Sequence, residues 1–298
     1  MLFTDQSRGG SFSKDPAVVR FLDRYFMYYT IPPKAEGAGY AIGIAASGDL
    51  EHWMRVGEMS GEAGVEQNGI CAPGAIVLGD TLHLFYQTYG NGREDAICHA
   101  TSKDGLHFSR DTTNPVYRPS KSWCCGRAID ADVVEFHGKL LLYIATRDHA
   151  FQIQMLGVAA ADMDSDFSKD CWTELLEAPV LKPELPWEGA CIEAPATIVQ
   201  DGKVYLFYGG SYNCTPQQVG CAVSEDGIHF KRVFDTPFLP NGAPGTWNSS
   251  ESGHPYVFSD YDGRNYLFYQ GSDDNGKSWQ ISKVEITFPN GVPKRINL

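Results

Sequence analysis

A run of alternating apolar residues, a short polar turn and a second apolar run recur along this chain. The pattern first occurs at residues 11–30, SFSKDPAVVRFLDRYFMYYT, where the turn is Leu22-Asp23-Arg24 and aromatic residues follow it. Two apolar runs joined by such a turn are typical of a β-hairpin. The first run opens at Asp15, although strand interiors are depleted of aspartate. The pattern predicts a hairpin and leaves the acidic residue to be explained.

Four further copies of this hairpin pattern follow the first. They read CAPGAIVLGDTLHLFYQTYG from Cys71, AIDADVVEFHGKLLLYIATRD from Ala128, IEAPATIVQDGKVYLFYGGSY from Ile192 and GHPYVFSDYDGRNYLFYQGSD from Gly253. When the copies are aligned, Asp15 matches Ala72, Asp130, Ala194 and His254, at successive spacings of 57, 58, 64 and 60 residues. The chain is therefore predicted to contain five equivalent units.

A second element follows several of the hairpins. It reads SKDGLHFSR from Ser102 and SEDGIHFKR from Ser224, with a weaker version, SGDLEHW, from Ser47. An Asp-Gly turn between apolar residues is a strong hairpin signal, so each unit holds about four strands. Arrays of such units are typical of β-propellers. The sequence predicts an all-β, five-bladed β-propeller that forms a single domain over residues 1–298. His107 and His229, in the outer half of their units, are expected to be structural.

Irregular segments separate the predicted units. They cover residues 57–70, 112–127, 181–191 and 236–252, and each lies just before a new unit begins. We expect them to connect the blades, and loops of this length often carry function. No convincing helical period appears in the repeats, and 31 glycines and 17 prolines suit a turn-rich all-β chain.

Charge and cysteine spacing exclude several classes of function. The formal net charge is −13, whereas a nucleic-acid or anionic-membrane binder needs a basic face. The eight cysteines form no CxxC pair, so we expect free thiols and no metal site of cysteine ligands. No signal pattern precedes the first repeat, and no apolar run is long enough to span a membrane. A cytoplasmic location is expected, although a secreted protein trimmed of its signal would look the same.

Acidic residues recur where the repeats begin. The innermost strand of a propeller blade lines the central channel, so Asp15, Asp130 and Glu193 (beside Ala194) are predicted to converge with His254 at one end of it. Carboxylates in a shared pocket raise one another's pKa, and burial raises it further. One carboxyl group can then remain protonated while another is ionised. This combination is what the hydrolysis of a glycosidic bond requires.

The segments KDPAVV, AIDADVV, IEAPATIV and GHPYVF together resemble glycoside hydrolase family 43, over nearly the whole chain and in the same order. The resemblance implies a five-bladed propeller in which Asp15 is the general base and Glu193 the general acid. It also implies that Asp130 tunes the pKa of the acid and orients it, and that the anomeric configuration is inverted. No cofactor is implied to be required.

Two positions depart from the family pattern. Gly74 stands in CAPG, where many relatives carry an acidic residue after the proline. Asp132 stands two residues after Asp130, and strand alternation places both side chains on one face. Alternation alone therefore leaves open which aspartate tunes the acid, although position in the repeat favours Asp130.

Five further residues are candidates for substrate binding: His254, Arg127, Trp123, Trp187 and Trp247. The histidine is expected to contact substrate, or to bind water or an ion in the channel; its alternative role is structural. Arg127 adjoins the Asp130 segment and could bind sugar hydroxyls. Each tryptophan lies in a segment between blades, where it either stacks on a sugar or packs within the protein.

The sequence predicts an inverting glycosidase that acts on neutral plant-type carbohydrates, with no nucleic-acid or membrane partner. By the family resemblance, α-L-arabinofuranosides or β-D-xylosides are the expected substrates. A related type of propeller enzyme phosphorolyses mannosides and would need basic residues for phosphate. Lys14 and Arg127 are the basic residues beside the acids in the sequence. A non-catalytic carbohydrate-binding propeller is the other alternative, but a pure binding protein has no need of an acid, a base and a tuning group.

Overall fold

The computed structural model of the protein describes residues 2–296, which fold into five four-stranded antiparallel sheets. The first sheet consists of Lys14–Phe21 (β1), Arg24–Ile31 (β2), Ala41–Ser47 (β3) and Met54–Ser60 (β4). The second consists of Ile70–Leu78 (β5), Thr81–Thr88 (β6), Ile97–Ser102 (β7) and Ser109–Arg110 (β8). The third consists of Ile129–Phe136 (β9), Lys139–Arg147 (β10), Gln154–Asp162 (β11) and Thr173–Glu174 (β12).

The two remaining sheets have the same strand order. The fourth consists of Ile192–Gln200 (β13), Lys203–Gly210 (β14), Gln218–Ser224 (β15) and Lys231–Arg232 (β16). The fifth consists of Glu251–Ser259 (β17), Asn265–Ser272 (β18), Gln280–Thr287 (β19) and Lys294–Ile296 (β20). The helices of the described chain are short 3₁₀ turns, at Gly92–Glu94, Lys169–Cys171, Pro186–Glu188 and Pro289–Gly291.

The first strand of each sheet is the innermost strand of a ring. Strand β1 contacts β5, β5 contacts β9, β9 contacts β13, β13 contacts β17, and β17 returns to β1. The ring is fastened by the N-terminal segment, where Phe3 and Ile281 exchange backbone hydrogen bonds of 2.9 and 2.8 Å. The protein is a single-domain, five-bladed β-propeller, and this prediction is confirmed.

The second repeated element holds neighbouring blades together. In its first full copy, Ser102 Oγ accepts a hydrogen bond of 2.9 Å from the Gly105 amide, and the Gly105 carbonyl accepts one of 3.0 Å from Tyr28 of the preceding blade. The same contact joins Tyr143 to the Gly227 carbonyl at 2.7 Å. Gly105 has φ of +76°, and an added methyl group would lie 2.9 Å from the Phe26 ring. The turn therefore requires glycine for both its conformation and its packing.

The apolar core lies between adjacent sheets and is formed by the apolar runs seen in the sequence. The predicted connections follow the outer strands, but the bounds of two of them are wrong. Residues 57–60 belong to β4 and residue 70 to β5, so the first connection covers 61–69. Residues 251–252 belong to β17, so the last connection ends at residue 250. All eight cysteines are free thiols. No helix among residues 2–296 is long and apolar enough to cross a membrane.

Candidate active site

Each innermost strand contains one residue in the left-handed backbone region. These residues are Asp15 (φ 55°), Ala72 (φ 44°), Asp130 (φ 55°), Ala194 (φ 51°) and His254 (φ 45°). A non-glycine residue pays about 1–2 kcal/mol for this conformation. The pairing register of each strand shifts at the same place, which marks a β-bulge. Bulges re-aim side chains beside functional sites, and these five stand at the positions that the sequence repeat aligns.

The bulges are supported by hydrogen bonds from the preceding blade. The backbone amide of each bulge residue donates to a side-chain oxygen there: Asp15 to Gln270 at 2.9 Å, Ala72 to Thr30 at 2.9 Å, Asp130 to Gln87 at 2.7 Å, Ala194 to Asp130 at 3.3 Å and His254 to Gln217 at 3.0 Å. A buried amide left without an acceptor costs free energy, so these bonds help to hold the strained backbone in place. The five bulge positions are thus fixed relative to one another.

His254 joins the two aspartates. Its Nε2 atom lies 3.3 Å from Asp15 Oδ1 and 3.4 Å from Asp130 Oδ1. Burial alone would lower the pKa of this imidazole, but the two carboxylates raise it to about 9. His254 is therefore an imidazolium at neutral pH. Its positive charge, with that of Arg127, outweighs the effect of burial on Asp130 and lowers the pKa of that carboxyl group.

Glu193 is held by two glutamine amides. Gln217 Nε2 donates to Glu193 Oε1 at 2.6 Å, and Gln154 Nε2 donates to Oε2. Burial, and then the charge of Asp130, raise the pKa of Glu193 from 4.5 to about 7. Because Asp130 is shifted in the opposite direction, one of these two carboxyl groups holds a proton near neutral pH while the other is ionised. Such a pair can divide acid and base roles.

The side chain of Gln217 fits because two strand positions carry glycine. A methyl group added to Gly209 would lie 2.9 Å from Gln217 Cδ, and one added to Gly253 would lie 2.0 Å from its Oε1. The amide spans the two blades, since it binds both the Glu193 carboxyl group and the His254 backbone. These glycines therefore make room for the residue that positions the acid.

Asp132 occupies a different environment from Asp130. Its Oδ2 accepts hydrogen bonds from the Thr197 amide, at 2.8 Å, and from the Thr197 hydroxyl. Burial raises the pKa of Asp132 to about 7. The bulge in β9 separates the two side chains, because Asp130 falls at the register shift while Asp132 remains paired with Tyr143. Asp130, and not Asp132, touches His254 and lines the cavity.

The three acids and His254 line one cavity of about 310 Å³ at the end of the channel. Arg127 also lines it, with its guanidinium 3.1 Å from Asp95 Oδ2. Other polar residues that line the cavity were not predicted from the sequence: Gln87, Tyr89, Arg147, Gln154, Tyr212 and Asn213. Gln87 could have been predicted, because it is the polar residue that ends the aromatic run in LFYQ. Arg147, Tyr212 and Asn213 have no counterpart in the repeat pattern.

The three candidate tryptophans lie outside the set of residues that lines this cavity. Trp187 stacks on Tyr208 and donates from its indole to the Asp235 carbonyl at 3.1 Å. Trp247 packs on Tyr269, with ring centroids 5.5 Å apart. Trp123 packs against β11, where a methyl group added to Gly157 would lie 3.2 Å from the indole. Each indole thus fills space beside a strand of its own or the adjacent blade.

Within residues 2–296, no group of three or more His, Cys, Asp or Glu side chains is arranged to hold a metal ion. An ion near His254 stays a prediction. The described contacts of the imidazole Nε2 are the two aspartates.

A family model described as glycosyl hydrolases family 43 matches residues 10–289. The chain belongs to this family. Over 145 residues the family-43 chain is 30% identical to a beta-1,2-mannobiose phosphorylase of Thermoanaerobacter sp. (strain X514), covering 40% of this chain and 47% of that protein. Over 146 residues it is 30% identical to xylosidase/arabinosidase 43A of Humicola insolens, covering 46% of this chain and 41% of that protein. The matches therefore span less than half of each curated relative.

Solved structures share the fold of this family-43 chain. A thermostable family-43 glycoside hydrolase superposes with a TM-score of 0.76 at 22% identity, covering 99% of this chain and 96% of that one. The likeness extends around all five blades. It shows that the two chains share the propeller fold.

Proposed function

We propose that this family-43 chain hydrolyses O-glycosidic bonds with inversion of the anomeric configuration. Asp15 is the general base, Glu193 is the general acid, and Asp130 is the positioning residue that keeps the acid protonated. The proposal is supported mainly by two neighbouring carboxyl groups whose pKa values are shifted in opposite directions. The pKa of Asp130 is lowered, whereas that of Glu193 is raised to about 7.

The reaction is a single displacement at the anomeric carbon. The Asp15 carboxylate takes a proton from water as the water oxygen bonds to that carbon. The bond from the carbon to the leaving oxygen breaks, and Glu193 gives its proton to that oxygen. His254 Nε2 lies 3.3 Å from Asp15 Oδ1 and so contacts the carboxyl group that acts as the base. Inversion of this kind needs the base and acid carboxyl groups roughly 6.5–9.5 Å apart, which leaves room for the water.

The proposed substrates are neutral glycosyl units of plant type, α-L-arabinofuranosides or β-D-xylosides. The support is the similarity to a protein named xylosidase/arabinosidase 43A. A cavity of about 310 Å³ suits one or two sugar units and not a long buried chain. No cofactor is part of this proposal, since its proton transfers use side chains of the chain itself.

Phosphorolysis of a mannoside is the second candidate. It is favoured by the similarity to a mannobiose phosphorylase and by the ammonium of Lys14, which lines the cavity beside Asp15. Phosphate would then replace water as the nucleophile. The product would be a glycosyl phosphate, and no net hydrolysis would be observed.

A screen of aryl glycosides with and without inorganic phosphate tests the proposal. We expect release of the aryl group from an arabinofuranoside or a xyloside without phosphate, and loss of that release in Glu193→Gln with a substrate whose leaving group is poor. Release that depends on phosphate would favour the second candidate. Binding of the sugar with no release under either condition would indicate a carbohydrate-binding propeller and would refute both.

A further inference from the structure

Arg147 lines the cavity and forms no ion pair within residues 2–296. It ends strand β10, and its Nε donates to Gln154 Oε1 at 2.7 Å. Its guanidinium lies 4.5 Å from the centre of the Phe151 ring and 5.4 Å from that of Tyr212. Among residues 2–296, no carboxylate lies within ion-pair distance of it, and its two terminal nitrogens donate to no oxygen. Four N–H donors of a fixed fork are therefore free for a ligand.

The other cations of the cavity are neutralised by the protein. The Arg127 guanidinium lies 3.1 Å from Asp95 Oδ2. Burial alone would lower the pKa of Lys14, but Asp15 and the neighbouring glutamates raise it to about 12, so the ammonium is stabilised by existing carboxylates. Arg147 differs from both, because its partner is a neutral amide.

The surroundings of Arg147 are locally basic in an acidic protein. The Phe151 ring carries three guanidinium groups around it, from Arg147 at 4.5 Å, Arg93 at 4.7 Å and Arg127 at 5.8 Å. The chain as a whole has a formal charge of −13. Because Arg127 is paired with Asp95, the charge of Arg147 is the one in the cavity lining that remains to attract an anionic ligand to this edge.

Arg147 lies on the side of the cavity that holds the proposed acid. Gln154 accepts from Arg147 and donates to Glu193, so one amide separates the guanidinium from the acid carboxyl group. The general acid faces the leaving oxygen, whereas the nucleophile enters from the opposite face of the sugar. A ligand group at Arg147 is therefore part of the leaving group and not the nucleophile.

We propose that Arg147 binds a carboxylate on the leaving group, so that the preferred leaving group is a uronic acid. This inference rests on the proposed glycosidase function. The planar guanidinium matches a carboxylate with two parallel hydrogen bonds. Inorganic phosphate could accept the same pair of hydrogen bonds from the guanidinium. We choose the sugar carboxylate because Arg147 lies on the side of the acid, away from the path of the nucleophile.

The test compares three disaccharides that differ at the leaving-group sugar: a uronic acid, its methyl ester and the neutral hexose. We expect the wild type to favour the uronic acid, and Arg147→Met to lower kcat/KM for the acid relative to the ester by roughly 10- to 100-fold. If the substitution also shifts Gln154 and slows all substrates equally, the ratio of kcat/KM for the acid to kcat/KM for the ester is unaffected. Arg147→Lys should restore part of the preference. Arg93→Met, which removes a guanidinium from the same phenyl ring outside the cavity lining, should leave the ratio unchanged.

Three outcomes would overturn the inference. An equal loss on the acid and the ester in Arg147→Met would make the residue structural. A rise in the KM for inorganic phosphate in that variant, with no preference for the uronic acid, would assign the site to phosphate. Calorimetric titration of each disaccharide into Glu193→Gln measures its binding affinity without turnover. Equal affinities for the uronic acid and its methyl ester would also refute the carboxylate site. Absence of release from every aryl glycoside, by contrast, refutes only the glycosidase function.

Discussion

Replacing Asp130 with asparagine removes the charged group that, after burial, does most to raise the pKa of Glu193. The substitution preserves the shape of the side chain and an oxygen that can accept the Ala194 amide. Because a like charge is removed, ionisation of Glu193 becomes easier and its pKa falls. His254 opposes Asp130 at this site by lowering the pKa of Glu193, and it keeps its contact with Asp15 in the variant.

The size of the change follows from the electrostatics of the pair. A nearby like charge is worth at least about one pKa unit, which would move Glu193 from about 7 to about 6. At pH 7.5 the protonated fraction would then fall from about 0.24 to about 0.03, a loss of about eightfold, while at pH 5 it would hardly change. The two carboxyl groups titrate as a pair, so the limbs report apparent values.

The assay is the pH profile of kcat/KM for a glycoside with a poor leaving group, which needs the general acid, so its basic limb reports that acid in the free enzyme. We expect the basic limb of Asp130→Asn to move toward lower pH by about one unit. The matched control is Asp132→Asn, a buried aspartate on the same strand that binds Thr197 instead of His254, and its basic limb should stay in place. A basic limb that stays put or moves upward in folded Asp130→Asn would refute the tuning role.

Two further predictions concern the roles of the acids and the packing of the blades. Glu193→Gln should lose about 10²–10⁴-fold in kcat on substrates with poor leaving groups and far less on activated aryl glycosides, whereas Asp15→Asn should fail on both. Equal losses for the two variants on both substrate types would contradict separate roles. Gly74→Ala should lower the free energy of unfolding by about 2 kcal/mol or more, because the new methyl group would lie 2.2 Å from the Ala131 carbonyl oxygen of the next blade. Gly48→Ala, where nothing lies within 4 Å, is its control in thermal unfolding, and equal melting temperatures would refute the packing argument.

The repeat made the blade architecture and the convergence of the acids predictable. A residue that recurs at one position of a five-fold repeat occupies one position in the ring, so Asp15, Asp130 and His254 were placed together without coordinates. Their left-handed backbone conformation explains why an acidic residue can stand at the start of an otherwise apolar strand. A bulge there turns the side chain into the cavity, while the strand around it remains apolar and buried.

Residues that do not recur at equivalent positions of the repeat could not be placed in the same way. Arg147 ends strand β10 and Tyr212 follows β14 of the next blade, so their contact depends on how the ends of two blades meet. Alternation along β9 could not separate Asp130 from Asp132, because the bulge breaks that alternation between them. The tryptophans were a matter of packing: Trp187 lies over Gly210, where an added methyl group would meet the indole at 2.2 Å. A glycine in the second or third strand of a blade, opposite a loop tryptophan, is the signal that could have shown this.

The anomeric configuration of the first-formed sugar distinguishes a single displacement by water from a double displacement through the enzyme. Proton NMR of the reaction with an aryl arabinofuranoside or xyloside resolves the two anomers before they equilibrate in water. A single displacement by water, activated by Asp15 and assisted by Glu193, predicts that the product first appears with the anomeric configuration opposite to that of the substrate. A product that first appears with the configuration of the substrate would require a covalent intermediate and would contradict the account.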